Sequence, residues 1–240
     1  MLALVRIVLL ALYCIIASVI SLVICVLRPF NPSNSGLCAR IYGVPLMYLL
    51  GIKVEGDNLL SAPRPCVFMG NHQSNFDLFI LGSQVPKRTV SVGKKSLKWI
   101  PLFGQVYWLA GNMLIERGNA QEARAAITKS TQILTEKDTS LWIFPEGTRN
   151  ASGTLLPFKK GAVQMAVSAQ VPIVPVCVNN YIGKMNLNRW HSVTVRIKVL
   201  EAIPTQGLGI RDIKPLTQRC QAVMGEAIHT LDQQDDHLAS

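Results

Sequence analysis

Residues 65–70 read Pro-Cys-Val-Phe-Met-Gly, and residues 71–77 continue as Asn-His-Gln-Ser-Asn-Phe-Asp. The first run is short, uncharged and apolar, which predicts a buried β-strand. A helix is expected over residues 75–84, beginning just after His72. Open α/β sheets bind ligands beyond the carboxyl ends of their strands, so the polar segment between this strand and this helix is a candidate site.

The same alternation of strands and helices continues toward the C-terminus. Further strands are expected at residues 112–115, 140–144, 173–178 and 193–200. Further helices are expected to begin at Asn119, Phe158 and Pro215. This alternation predicts an α/β fold with a mixed, largely parallel sheet flanked by helices.

The N-terminal region is apolar and predicts attachment to a membrane. Residues 7–27 are 21 residues without a charge, and a helix of that length spans about 31 Å, close to the hydrocarbon thickness of a bilayer. Residues 37–50 form a second apolar stretch, too short to span, and are expected to be interfacial or re-entrant. A cleaved signal peptide is disfavoured because the apolar stretch is long and lacks a clear cleavage site.

This pattern divides the chain into a membrane-anchoring region, residues 1–51, and an α/β domain, residues 52–240. The anchor is expected to be either one spanning helix or a helical hairpin held in one leaflet. Arg28 and Arg40 follow the first apolar stretch, which favours a cytoplasmic α/β domain.

Composition limits the partners and cofactors of the chain. The formal net charge of +10 favours an anionic partner: nucleic acid, an anionic membrane or a phosphorylated substrate. The sequence contains no helix-turn-helix, zinc-finger or RNA-binding signature, so nucleic acid is not expected. The six cysteines form no Cys-x-x-Cys pair and no cluster with histidine, so no metal site is predicted.

His72 and Asp77 are candidates for a general base and the carboxylate that orients it. An imidazole can accept the proton of a hydroxyl that attacks a carbonyl, and a carboxylate on the other ring nitrogen stabilises the imidazolium. Residues five apart lie about 140° apart on a regular helix, so a bend before Asp77 is required. The alternative is a surface histidine near an aspartate that favours the helix dipole.

A second motif, Phe-Pro-Glu-Gly-Thr-Arg at residues 144–149, follows an expected strand. Gly147 permits a turn with positive φ or a close ligand approach. Arg149 can grip a phosphate with its planar fork, Glu146 can accept a hydrogen bond from a substrate hydroxyl, and Arg117 is a candidate second phosphate donor. The alternative places each arginine in a weak surface ion pair.

Two lysines follow the first motif by about twenty residues, in Val-Gly-Lys-Lys-Ser-Leu. Lys94 or Lys95 could place a cation near a developing oxyanion. Solvated lysines near a membrane surface are the alternative, and the sequence leaves the choice open.

Four blocks in order resemble the glycerolipid acyltransferase family: residues 71–77, 111–117, 144–149 and 171–176. The resemblance covers roughly residues 65–180. The second block carries Leu114 and Glu116 where many members have Phe and Asp, and Asn150 stands where Ser is common. Arg117 and Arg149 are retained despite these departures.

The resemblance implies transfer of a fatty acyl group from a thioester to the sn-2 hydroxyl of 1-acylglycerol 3-phosphate (lysophosphatidic acid), forming phosphatidic acid. It makes His72 the base and Asp77 its orienter. It assigns the head group to five residues, namely Arg117, Glu146, Gly147, Thr148 and Arg149. The implied donor is acyl-coenzyme A or acyl carrier protein, with no metal, no cofactor and no covalent acyl-enzyme.

The resemblance also implies a bacterial inner-membrane enzyme facing the cytoplasm, with membrane lipids as partners. Two alternatives remain. One is an acyltransferase acting on another lysophospholipid or lipid acceptor. The other is a non-enzymatic basic protein that binds anionic lipid or nucleic acid.

Overall fold

The computed structural model describes residues 1–116 and 120–239 of the chain. Its helices and strands are, in chain order, α1 (Leu2–Leu27), α2 (Pro32–Leu50), β1 (Ile52–Gly56), β2 (Val67–Gly70), α3 (Asp77–Gln84), β3 (Thr89–Lys94), α4 (Phe103–Leu109), β4 (Met113–Ile115), α5 (Ala120–Thr135), β5 (Ser140–Ile143), α6 (Gly161–Ala169), β6 (Ile173–Val178), β7 (Val193–Val199) and α7 (Ile213–Ala239).

The chain forms two compact units, each built from separate segments. The first unit comprises Met1–Lys53, Asn75–Ala126 and Met185–Val193, and the second comprises Val54–Ser74, Ile127–Lys184 and Thr194–Ser240. These boundaries differ from a single division at residue 51. The predicted separation into an anchor and an α/β domain stays a prediction.

In the first unit, α1 and α2 form a helical hairpin whose second helix has defined ends. The Asn31 side chain accepts a hydrogen bond from the Ser33 backbone N–H (2.9 Å), and Pro32 occupies the first helical position. Both features favour a helix start because the first N–H groups lack intrahelical partners. Gly51 ends the helix with φ of 67°, a conformation that favours glycine.

Helix α1 buries one stripe and exposes the rest of its apolar surface. Ala17 and Cys25 pack with Cys38 and Tyr42 of α2 and with Val106 of α4. Across the part of the chain that the structure describes, α1 is the one helix with the length and composition to cross a membrane. Its most apolar window has a mean hydropathy of 3.0 and is 17% buried. The predicted N-terminal apolar helix is therefore present.

The N-terminal end of α1 is tied to a loop of the same unit by a buried arginine. Arg6 is 4% exposed, and its guanidinium donates hydrogen bonds to the carbonyl oxygens of Leu187 (2.9 Å), Arg189 (2.6 Å) and Trp190 (2.8 Å). Three acceptors satisfy a charge that would otherwise be costly to bury. This loop therefore stays against the start of α1.

The parallel pair β3 and β4 completes the first unit, and a polar cluster fixes the start of β4. The Asn112 Oδ1 atom accepts hydrogen bonds from Ser35 Oγ and from the Ser91 N–H, each 2.8 Å long. Ser91 Oγ also donates to the hydroxyl of the half-buried Tyr107 at 2.7 Å. Burial raises the pKa of Tyr107 to about 12, so the hydroxyl stays protonated and the cluster is neutral at physiological pH.

The second unit contains strands in the order β1-β7-β6-β2-β5. Strand β2 is parallel to both β5 and β6, whereas β7 is antiparallel to β6. Every residue of β2, β5 and β6 is buried, while burial tends to alternate along β7. Continuous burial is typical of parallel strands covered on both faces, and alternation is typical of a strand with one solvated face.

The predicted α/β class, with mixed and largely parallel pairing and flanking helices, is confirmed. Strand β6 has the predicted bounds, and β2, β4, β5 and β7 agree within two residues. The sequence analysis missed three elements of the structure: β1, β3 and α4.

Candidate active site

The residues on either side of His72 are fixed to the end of β6 by their side chains. The Asn71 amide accepts from the Val178 N–H and donates to the Val178 carbonyl, both at 2.9 Å. The Gln73 amide donates to the Asn179 carbonyl at 2.8 Å. Asn71 and Gln73 are both buried, so these bonds act in a low-dielectric setting where they hold the segment firmly.

His72 itself is tied through its backbone to the second motif. Its N–H donates to Glu146 Oε1 (2.9 Å), and its carbonyl accepts from the Asn150 N–H (2.8 Å). Its imidazole stacks on the Phe144 ring with a centroid separation of 4.0 Å and an interplanar angle of 14°. Stacking on Phe144 fixes the plane of the imidazole ring.

Glu146 braces the two segments that meet at His72. Its carboxylate is 3% exposed and accepts one backbone N–H on each oxygen, from His72 at 2.9 Å and from Leu156 at 3.0 Å. Hydrogen bonds to a carboxylate are among the stronger ones in proteins. The structure thus gives Glu146 an organising role, and the predicted contact with a substrate hydroxyl stays a prediction.

The turn after β5 presents two of the predicted head-group residues to solvent. Gly147 has φ of 72°, which is one of the two roles that the sequence permitted it, and a Cβ atom there would approach Lys159 Cε to 2.9 Å. Thr148 and Arg149 follow and are exposed. The Arg149 side chain is therefore at the surface, where a ligand can reach it.

The predicted roles of two further residues, Asp77 and Arg117, are not tested by these contacts. Asp77 is the first residue of α3 and is 1% exposed, at a helix start where a carboxylate is favoured by the helix dipole. It belongs to the first unit and His72 to the second, and their pairing stays a prediction. Arg117 lies outside the described residues, directly after Glu116.

The predicted oxyanion lysines are both exposed at the end of β3. Lys95 Nζ forms ion pairs with Glu116 (2.8 Å) and Glu122 (3.4 Å). The hydrogen bonds that Lys95 donates to these carboxylates raise the pKa of Lys95, and Lys95 in turn lowers the pKa of Glu116. Its charge is therefore balanced locally. A catalytic contribution from Lys94 or Lys95 stays a prediction.

A small pocket opens beside His72 in the second unit. Its lining includes His72, Gln73, Glu146, Asn150 and Asn180. The lining contains several side-chain amides and one carboxylate, that of Glu146. Such a surface can hold a polar group next to the imidazole, as a hydroxyl nucleophile requires.

Sequence reasoning missed several residues that build this site. The sequence analysis gave Asn71, Gln73, Phe144 and Asn150 no part in holding His72. A signal was present for Asn71 and Phe144, since both lie next to predicted strand ends. Within the described residues, no group of three or more His, Cys, Asp or Glu side chains could hold a metal ion; the predicted lack of a metal or cofactor stays a prediction.

Comparison with known proteins gives consistent results. A family model described as Acyltransferase matches residues 51–179. The 1-acyl-sn-glycerol-3-phosphate acyltransferase of Haemophilus influenzae is 40% identical over 98% of this chain and 98% of its own length. The Escherichia coli protein of that name is 38% identical, covering 98% of this chain and 96% of itself. Human 1-acyl-sn-glycerol-3-phosphate acyltransferase alpha is 36% identical over 86% of this chain and 74% of itself.

A solved structure shares the fold. It is the crystal structure of the 1-acyl-sn-glycerophosphate (LPA) acyltransferase, PlsC, from Thermotoga maritima. The TM-score is 0.68 at 22% identity, covering 95% of this chain and 97% of that one.

Proposed function

The chain belongs to the acyltransferase family, and we propose that it transfers a fatty acyl group from a thioester to the sn-2 hydroxyl of 1-acylglycerol 3-phosphate, forming phosphatidic acid. One structural observation carries the proposal. The backbone of His72 is bonded directly to Glu146 and Asn150, which flank the exposed Arg149. The candidate base and the candidate phosphate-binding residue therefore lie on two segments that are hydrogen-bonded to each other.

His72 is the proposed general base. It removes the proton of the acceptor hydroxyl as the oxygen attacks the thioester carbonyl, and the thiolate leaves as the tetrahedral intermediate collapses. Asp77 is the proposed carboxylate that stabilises the imidazolium. The Phe144 ring keeps the imidazole in one plane, so the base does not have to be ordered during the reaction.

Arg149 and Arg117 are the proposed phosphate-binding residues. Gly147 and Thr148 shape the turn that carries Arg149. A guanidinium fork matches phosphate oxygens in geometry and charge. Binding the head group holds the sn-2 hydroxyl next to the base. The reaction of hydroxyl and thioester then has a lower entropic cost than an encounter in solution. The exposure of Arg149 supports this role because the side chain is accessible to a ligand.

The proposed reaction predicts that thiol release depends on the acceptor. Purified protein in detergent or vesicles is mixed with acyl-coenzyme A, or with acyl carrier protein carrying a fatty acid, and free thiol is followed with a thiol reagent. Release is expected with lysophosphatidic acid present and near background without it. The phospholipid product should be phosphatidic acid by mass spectrometry.

Other outcomes of this assay distinguish the alternatives. Release with another lysophospholipid but not with lysophosphatidic acid would replace the acceptor and keep the reaction type. No release with any acceptor, together with binding of anionic vesicles, would favour a lipid-binding protein without enzymatic activity.

We also propose that the α1–α2 hairpin is embedded in one leaflet rather than crossing the membrane. Both ends of α1 contact other parts of the first unit: Arg6 donates hydrogen bonds to the 187–190 loop, and Cys25 packs beside α2 and α4. A spanning helix would carry its two ends to opposite faces of the bilayer. Exposed Phe30 and Trp108 near the C-terminal end of α1 are suited to the interfacial region.

This placement predicts that the N-terminus and the 187–190 loop face the same side of the membrane. In sealed inside-out vesicles, a protease should remove an N-terminal peptide tag, and an impermeant maleimide should label Arg189→Cys. Ser61→Cys, exposed in the second unit, is the control for the cytoplasmic side. A tag that becomes accessible only after permeabilisation, while Arg189→Cys and Ser61→Cys are labelled, would show a spanning helix.

A further inference from the structure

The last turns of α7 hold the segment that follows β6. The Asp232 carboxylate accepts the Asn180 backbone N–H at 2.7 Å on one oxygen and the Asn180 side-chain amide on the other. These two residues are 52 positions apart in the chain. One carboxylate thus fixes both the backbone and the side-chain orientation of Asn180.

A buried ion pair one turn further along α7 keeps this end of the helix in place. Asp235 is 8% exposed and pairs with Arg196 of β7, while the fully buried Asn179 donates its amide to the same carboxylate. Arg196 also lies 3.5 Å from Glu55 of β1. The end of α7 is therefore anchored to the sheet independently of Asp232.

Asn180 passes this constraint to the loop that carries Arg149. Its amide donates to the Gly153 carbonyl at 2.9 Å. Gly153 belongs to a tight loop that Asn150 closes with its side chain, through bonds to the Ser152 N–H (3.1 Å) and the Thr154 carbonyl (2.5 Å). Asn150 follows Arg149 directly, so Asn180 holds the downstream side of the phosphate-binding turn.

We propose that Asp232 and Asn180 are positioning residues for acceptor binding: through the Asp232–Asn180–Gly153 chain, α7 holds the loop after Arg149 in the conformation that receives the phosphate head group. The inference rests on the proposed function. It adds a helix near the C-terminus to a site whose recognised motifs end near residue 176.

The chain of bonds also determines which kinetic constant should change. Contacts of Glu146, Asn71 and Gln73 hold the segment around His72 without passing through Asp232. One further contact, from the Asn150 N–H to the His72 carbonyl, comes from the 150–154 loop. Loosening the 150–154 loop therefore weakens the hold on the phosphate more than it displaces the base. Losses in acceptor binding at constant chemistry appear as a raised KM.

Asp232→Ala is the test, with acyl-coenzyme A and lysophosphatidic acid as substrates and wild-type protein in the same vesicles. Loss of the two hydrogen bonds is expected to raise the acceptor KM about 5- to 20-fold, with kcat within about twofold and donor KM unchanged. Asp232→Asn keeps one acceptor oxygen, so its acceptor KM should lie between those of wild type and Asp232→Ala. Gln234→Ala, exposed on the same helix, is the matched control. Arg149→Ala gives the full effect of losing the phosphate contact.

A double-mutant cycle separates positioning from general stability. Because Asp232 acts through Asn180, Asn180→Ala should raise acceptor KM similarly, and adding Asp232→Ala to it should change little further. A lowered melting temperature with unchanged acceptor KM, or additive effects of the two substitutions, would overturn the proposal. Failure of wild-type protein to release thiol in response to lysophosphatidic acid would instead overturn the proposed function, and the two results are read from separate samples.

Discussion

Replacing His72 by alanine is expected to lower kcat by about 10²- to 10⁴-fold, the usual cost of losing a general base, with acceptor KM within a few-fold of wild type. The side chain that takes the proton is removed, whereas Arg149 and its loop are untouched. The fold should survive because the backbone bonds of residue 72, from its N–H to Glu146 and from Asn150 to its carbonyl, do not use the imidazole. Acceptor-dependent thiol release measures both constants.

The matched control is His229→Ala, which removes a histidine exposed on α7 in the same unit and should leave both constants unchanged. A His72→Ala protein with near-wild-type kcat would exclude His72 as the base.

The sequence was sufficient to place His72 because its surroundings follow local rules. A buried apolar run, residues 65–70, correctly predicted β2, and the polar segment after it, which contains His72, was predicted to be the site. The same logic placed Arg149 after β5. The sequence permitted Gly147 a positive φ or a close ligand approach, and the residue adopts a positive φ. These predictions needed only the period of apolar residues and the chemistry of turns.

The contacts that fix His72 could not be read in the same way. The Asn71 side chain forms hydrogen bonds with the backbone of Val178, 107 positions away. This contact requires β2 and β6 to be neighbours in the sheet, and no local sequence pattern specifies that. Strand β3 was missed for a related reason: Thr-Val-Ser-Val-Gly-Lys is short and partly polar, and its strand character comes from pairing with β4. Tertiary context decided both cases.

Glu146 illustrates how a contact changes the interpretation of a motif. The sequence predicted that Glu146 accepts a hydrogen bond from a substrate hydroxyl. In the structure both oxygens already accept backbone N–H groups, from His72 and from Leu156. A buried carboxylate in this position joins the segment after β2 to the loop after β5. Its removal should therefore damage the chemistry and the fold together, unlike the loss of a substrate contact alone.

Glu146→Ala is expected to lower kcat/KM by at least about 10²-fold, since a displacement of about 1 Å at a reacting group costs that much. The two N–H groups that lose their acceptor should also lower the free energy of unfolding by about 1–3 kcal/mol each. Kinetics of thiol release and thermal unfolding in the same detergent measure the two effects. Amide hydrogen exchange should show faster exchange at His72 and Leu156 than in wild type.

Two further variants decide between bracing and substrate contact. Glu226→Ala removes a carboxylate exposed on α7 and should match wild type in rate and in stability. Glu146→Gln keeps one acceptor oxygen but turns an NH₂ group toward a backbone N–H, so it should retain more stability than alanine and still lose most of the rate. Because a brace acts through the position of His72, its loss lowers kcat. A Glu146→Ala protein with a raised acceptor KM, unchanged kcat and unchanged melting temperature would show that Glu146 binds the substrate and does not hold the base.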